Sequence, residues 1–216
     1  MIWFTSDLHF GHKKVIEYGN RKFNDVEEMD NHMIKVWQSK VQRSDKVYVL
    51  GDFSFRKPAE TNTIMNKLPG QKFLVKGNHD HKKELKKIQG WDWVQPYHEL
   101  KHDNEFVILS HYPFEVWRDS HHGSWHLHGH SHGTLPPKGR RMDVGVDAIG
   151  TSEVLISFDS VREKLIPIPV YQSDYHRCKK PDFGIDPKAE VIVDQLFAEA
   201  SEKYTLQERW LQSKYR

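Results

Sequence analysis

Five times in the first 132 residues, an apolar run of strand-forming residues breaks off at a Gly or Ser into a polar tip, and nothing else in the chain restricts its fold so tightly. Ile2-Trp3-Phe4 leads into Ser6-Asp7-Leu8-His9, Lys46-Val47-Tyr48-Val49-Leu50 into Gly51-Asp52, and Lys72-Phe73-Leu74-Val75 into Gly77-Asn78-His79-Asp80. Glu105-Phe106-Val107-Ile108-Leu109 then leads into Ser110-His111, and Trp125-His126-Leu127 into Gly129-His130-Ser131-His132. Short runs rich in β-branched and aromatic residues, closed by small residues, read as buried strands. In sheets built with helical crossovers, ligands bind beyond the carboxyl ends of strands, so these tips are expected to gather at one edge and make it the functional one.

Helical patterns lie between the tips. From about Asp25 to Val41 the residues Val26, Met29, Met33, Trp37 and Val41 recur at intervals of three or four, with Asn24 and Glu27 placed for a capping box. Further helices are expected near Ala59 to Lys67 and Lys82 to Ile88. The order is β-α-β-α-β up to residue 90 and mostly strand from 92 to 157, through Trp93-Val94, Glu99-Leu100, Phe106 to Leu109 and Met142 to Val146. That shift predicts an α/β fold of two facing mixed β-sheets flanked by helices, a four-layer α/β/β/α sandwich. The 216 residues suit one domain over 1–170. Residues 171–216 are expected to form a helical extension packed on that domain, because Ile192, Leu196, Phe197, Ala200 and Tyr204 share a helical face; the same stripe fits a homodimer contact, so monomer and homodimer both stay open.

Composition narrows the chemistry. The lone Cys178 excludes a disulfide framework or a Cys-rich zinc site, whereas fifteen histidines leave imidazole and carboxylate as abundant metal ligands. A formal net charge of +2 does not by itself demand a polyanionic partner. The opening MIWFTSDLHF lacks a charged leader region, and no apolar stretch approaches a membrane span, so a soluble, cytoplasmic setting without membrane contact is expected.

Extended backbone points residues i and i+2 to one side, so Asp7 with His9, and His130 with His132, are each expected to offer two donors to one cation. Adding Asp52, Asn78 and His111 makes seven oxygen and nitrogen donors, more than a single zinc site uses and suited to two ions. Asp52 is the natural shared ligand, having two carboxylate oxygens, and the Asn78 amide donates an oxygen without adding charge.

In their order along the chain, Asp7-Leu8-His9, Gly51-Asp52, Gly77-Asn78-His79-Asp80, Ser110-His111 and Gly129-His130-Ser131-His132 resemble the five blocks of the calcineurin-like metallophosphoesterases. Met142-Asp143-Val144-Gly145-Val146-Asp147 is similar to the strand that follows the last block in small bacterial and phage members. The resemblance implies that Asp7, His9 and His132 bind one divalent ion, that Asn78, His111 and His130 bind a second, and that Asp52 bridges them. It also implies that His79 faces the leaving group as proton donor, with Asp80 helping to fix its orientation and charge. Two ions roughly 3.5–4 Å apart acidify a bridging water and clamp phosphate oxygens for in-line displacement. Manganese is the expected metal, with iron, zinc, nickel and cobalt as alternatives, because O/N sites of this type admit several.

The expected substrate is a phosphodiester or phosphomonoester of a nucleotide or other small phosphorylated molecule. A nuclease or phosphatase acting on DNA or RNA is the alternative, drawing on Lys82-Lys83, Lys86-Lys87 and Lys138-Gly139-Arg140-Arg141, which otherwise read as solvated surface; a non-catalytic scaffold of the same fold is a remote one, since no ligand is missing. Tyr112, Trp117 and Arg118 lie on a loop between two ligand-bearing strands, and loops over such an edge commonly read substrate. His12 and Arg21 closely follow the first tip and are expected near the site, as is His128, either beside a ligand or on a substrate oxygen. His126 is expected to be structural. The HxHxDH signature of metallo-β-lactamases is set aside because Ser131 stands where it needs an aspartate.

Overall fold

The computed structural model describes residues 1–170. The expected helical extension over 171–216 lies outside the described residues. Nine strands are present: β1 (Ile2–Thr5), β2 (Lys46–Val49), β3 (Gln71–Val75), β4 (Trp93–Gln95), β5 (His98–His102), β6 (Glu105–Leu109), β7 (Trp125–His128), β8 (Arg141–Asp143) and β9 (Ile156–Ser157), all among the described residues. They form a five-stranded sheet in the order β4-β3-β2-β1-β9 and a four-stranded sheet in the order β5-β6-β7-β8. Both are mixed. β1 to β4 run parallel with β9 antiparallel at one edge, and β6, β7 and β8 run parallel with β5 antiparallel.

Two-residue alternation divides the first sheet's side chains between two cores. Val47, Val49 and Leu74 face the helices α2 (Val26–Lys40) and α3 (Pro58–Met65), where they meet Met29, Met33, Trp37 and Ile64. Phe4, Tyr48, Leu50 and Val75 face the other way and pack against Val107, Leu109, Trp125 and Leu127 of the second sheet. The α/β class with two facing mixed sheets and flanking helices is therefore as the sequence pattern predicts. On the outward side of the second sheet, the rings of Phe114 and Trp117 lie over His126.

Several boundaries differ from the sequence expectation. The cap of α2 is Asp25, one residue later than expected: its extended backbone lets the carboxylate accept the Glu28 N–H at 2.8 Å. Glu28, rather than Glu27, reaches back to the Asn24 N–H at 2.8 Å. A short helix at Lys13–Tyr18, α1, buries only Val15 and so leaves little periodic signal. The helix after Asp80, α4 (Lys82–Leu85), is shorter than expected. The strand expected over Met142 to Val146 stops at Asp143, whose Oδ1 accepts the Gly145 N–H at 2.7 Å and turns the chain into α5 (Val146–Ile149). A last helix, α6 (Phe158–Leu165), begins at Ser157, which accepts the Ser160 N–H. Arg140 and Arg141 are tied to main-chain oxygens of Gly123, Ile166, Ile168, Phe114 and Pro136, rather than simply solvated. No helix among the described residues is long and apolar enough to cross a membrane.

Candidate metal centre

The five polar tips meet at one edge, but not through strand parity. Asp7, His9, Asp52, His130 and His132 all have left-handed backbone, with φ of 55°, 54°, 53°, 65° and 48°. For an L-residue that conformation costs about 1–2 kcal/mol, and such departures cluster at functional sites where the surroundings enforce them. The expectation that extended backbone aligns residues i and i+2 is thus corrected: each tip curls, and it is the turns that aim the donors. Main-chain bonds from Asp7 N to Gly51 O at 3.1 Å and from His9 N to Asp52 O at 3.0 Å hold the first two tips side by side. Asp7 Oδ2 accepts the His130 N–H at 2.9 Å, which docks the last tip across the two sheets. Glycine is required at 129 because a Cβ there would overlap Ser6 Oγ and Asp7 Oδ2.

The Asp7 and Asp52 carboxylates then face the imidazoles at distances too long for hydrogen bonds. Asp7 Oδ1 lies 3.8 Å from both His9 Nε2 and His132 Nε2. Asp7 Oδ1 and His9 Nε2 are fully buried and lack any hydrogen-bond partner. A buried polar atom left unpaired costs about 1–3 kcal/mol, so this pair points to a missing positive partner. Asp52 Oδ2 lies 3.7 Å from His9 Nε2 and 3.6 Å from His111 Nε2, between the two groups of donors. His111 Nδ1 sits 2.7 Å from the Leu50 carbonyl and donates to it, which leaves the neutral ring a lone pair at Nε2 directed at Asn78 Oδ1, 2.9 Å away. His130 Nδ1 lies 3.0 Å from the same Asn78 oxygen. Donors sharing an ion at roughly 2.0–2.2 Å fall within about 4.4 Å of one another, so these spacings fit metal ligation. Asp7, His9 and His132, and likewise Asp7, Asp52 and His111, are grouped closely enough to hold an ion.

Charge is arranged to match. Burial works to raise the Asp7 carboxyl, but His9, His111 and His132 around it hold it below its ordinary value. His132 is raised by its 2.6 Å contact with Asp147, and burial lowers His130.

His79 sits at the open side of this cluster, with Nε2 3.9 Å from Asp52 Oδ2 and its side chain 43% exposed. Its main-chain N–H donates to Asp52 Oδ1 at 2.9 Å. Asp80 is placed differently from the expectation that it orients His79. Its oxygens accept the main-chain N–H groups of Asp52 and Gly77 at 2.8 Å and of Phe53 at 3.2 Å. Burial pushes its carboxyl up, which those N–H groups oppose. Asp80 therefore ties the second and third tips together. Asp80→Ala leaves two buried donors and one partly buried donor unmatched and is expected to cost about 3 kcal/mol, a fall in Tm of roughly 6–12 °C. Thermal melts of the metal-free protein measure this, and an unchanged Tm would remove the clamp role.

Of the residues expected to read substrate, two reach the rim. Tyr112 is exposed, with its ring edge-on to His111 and His130. His12 stacks on Phe55, which in turn approaches His79. The others do not reach the rim. Trp117 is buried and its Nε1 donates to Ser124 O. Arg118 pairs with Glu99 at 2.7 Å and lies over the Phe106 ring, near the far end of β6 from His111. His128 is buried with Nδ1 2.8 Å from Gly129 O. Arg21 is buried beneath the donors, its guanidinium engaged by Asp147 and by main-chain oxygens. His126, structural as expected, has burial pushing it down to about 3 and accepts the Phe114 N–H. Sequence reasoning passed over Phe55, Asp147 and Asp143, whose Oδ2 accepts from Ser131 Oγ and the Gly133 N–H in the last tip, as site residues. Asp143 and Asp147 stood in the Met142 to Asp147 run, whose acidic residues were the available signal.

No family model matches the chain. The Gene 66 protein of Mycobacterium phage L5 is 32% identical over 195 residues, in an alignment taking in 74% of this chain and 91% of that protein. The chain belongs to the Gene 66 protein family. This Gene 66-type chain is also 30% identical over 162 residues to the MJ1445 protein of Methanocaldococcus jannaschii, covering 71% of the chain and 85% of that protein. Among solved structures, AQ665 from Aquifex aeolicus matches it at a TM-score of 0.60 and 25% identity, across 76% of this chain and 98% of that one. YfcE, a phosphoesterase from E. coli, matches at a TM-score of 0.38 and 16% identity, over 73% and 81% of the two chains.

Proposed function

We propose that the chain is a phosphoesterase of the calcineurin-like kind, dependent on two divalent metal ions. One observation carries this reading: the buried, unpartnered Asp7 Oδ1 and His9 Nε2 face a shared space with Asp52 Oδ2, which has further imidazole nitrogen on its other side. Asp7, His9 and His132 would hold one ion and Asn78, His111 and His130 the other, with Asp52 common to both. When bound, the ions supply an acidified water and draw charge from the phosphate oxygens. Manganese is the favoured occupant, and iron, zinc, nickel and cobalt also suit O/N donors.

The protein's own part is positioning and proton transfer. His79 stands exposed beside Asp52 and gives a proton to the departing oxygen, the general-acid task for which imidazole is the commonest side chain. Tyr112 and His12 border the rim by which a phosphate ester, of a nucleotide or another small molecule, would approach. A nucleic-acid substrate is a second reading, favoured by Lys82, Lys83, Lys86 and Lys87 within seven residues after Asp80; affinity insensitive to salt would exclude it.

The test is hydrolysis of a chromogenic aryl phosphodiester and monoester by purified protein. Turnover is expected with added manganese, to disappear on chelation and to return on readdition, with two ions per chain by elemental analysis. Protein loaded with each of the five metals in turn and inert towards both esters would overturn the proposal.

A further inference from the structure

Beneath the first group of donors lies a buried ion pair that touches neither substrate nor solvent. Arg21 and Asp147 have side chains 0% and 4% exposed. They meet through two contacts, Nε to Oδ1 at 2.7 Å and Nη2 to Oδ2 at 2.8 Å. Asp147 Oδ2 also accepts from His132 Nδ1 at 2.6 Å. On its other side the same guanidinium donates from Nη2 to the Asp7 carbonyl at 2.7 Å and from Nη1 to the Leu8 carbonyl at 3.0 Å. One rigid planar group thus grips the main chain of Asp7 and, through Asp147, the ring of His132.

We infer that Arg21 and Asp147 are positioning residues for the half-site of Asp7, His9 and His132, an inference that rests on the metal reading above. A neutral imidazole carries its proton on either nitrogen and turns about two bonds. By accepting at Nδ1, Asp147 fixes both choices and leaves the lone pair at Nε2, the atom 3.8 Å from Asp7 Oδ1. Arg21 fixes Asp147 in turn and sets the left-handed turn of Asp7, so two donors from different sheets are referenced to one group. Lysine cannot replace it, because a single ammonium lacks the planar fork that reaches Asp147 and both carbonyls at once. In the other half-site, among the described residues, His111 is fixed by the Leu50 carbonyl instead.

Two measurements test this. In metal-free wild-type protein at alkaline pH, imidazole 15N NMR is expected to show His132 protonated at Nδ1. In Asp147→Ala and Arg21→Lys, manganese titration is expected to show one of two sites weakened about 10- to 100-fold and the other within about threefold of wild type, a margin small against that loss. The electron paramagnetic resonance signal should change from a coupled pair to an isolated ion at intermediate loading. If one variant fails to fold, the other and the wild-type tautomer still decide. Protonation at Nε2 in wild type, or variants that weaken both sites equally or neither, would overturn the inference and leave the metal reading standing. A wild-type chain that binds no ion overturns the metal reading and takes the inference with it.

Discussion

Asp52→Asn is expected to lower hydrolysis by about three orders of magnitude, corresponding to roughly 4 kcal/mol of transition-state stabilisation, and to reduce the metal retained after dialysis. The carboxylate does two things an amide cannot do together. Its Oδ2 lies within 3.7 Å of His9 Nε2 and 3.6 Å of His111 Nε2, so its charge serves both groups of donors, while Oδ1 accepts the His79 N–H. In the variant an NH2 group must face either the metal space or the His79 N–H. Metal content and kcat measured together check the expectation; full activity with two bound ions would show that Asp52 is not the shared ligand.

His79→Ala should separate chemistry from metal binding. The ring is outside both groups of donors and half open to solvent, so its loss is expected to leave two ions bound. General acid catalysis is worth about 10²–10⁴ in rate, and this benefit shrinks as the leaving group departs more easily unaided. Alkyl esters should therefore slow by two orders of magnitude or more while nitrophenyl esters slow little, steepening the dependence of rate on leaving-group pKa. Equal slowing across the series would take His79 out of the acid role.

Much of this was legible in the sequence because strand ends are announced by chemistry as well as pattern. The five apolar runs became β1, β2, β3, β6 and β7, and all seven donors lie at one edge. What misled was local geometry. The i, i+2 spacing of Asp7 with His9 suggested extended backbone, but left-handed φ values in aspartate and histidine leave no trace in composition. Arg21 and Asp80 were expected to act on substrate or on His79 because of their nearness to donors along the chain, whereas the structure makes them supports of the tips. Their partners are main-chain atoms and a carboxylate 126 residues away in the case of Arg21, which spacing along the chain cannot disclose. Trp117 and Arg118 sit on the expected loop, yet the loop folds back over the second sheet and carries them away from the edge.

The donors are contributed from both sides of the sandwich. Asp7, His9, Asp52 and Asn78 follow strands of the five-stranded sheet, and His111, His130 and His132 follow strands of the four-stranded one. Each ion in the proposed centre would consequently be a clasp across the seam, drawing ligands from both layers. Occupancy would then set how far the layers can part: an emptied centre leaves the inter-sheet core of Phe4, Leu50, Leu109 and Leu127, with the hydrogen bonds of Asp7 to His130 and of Leu50 to His111, to hold the mouth shut.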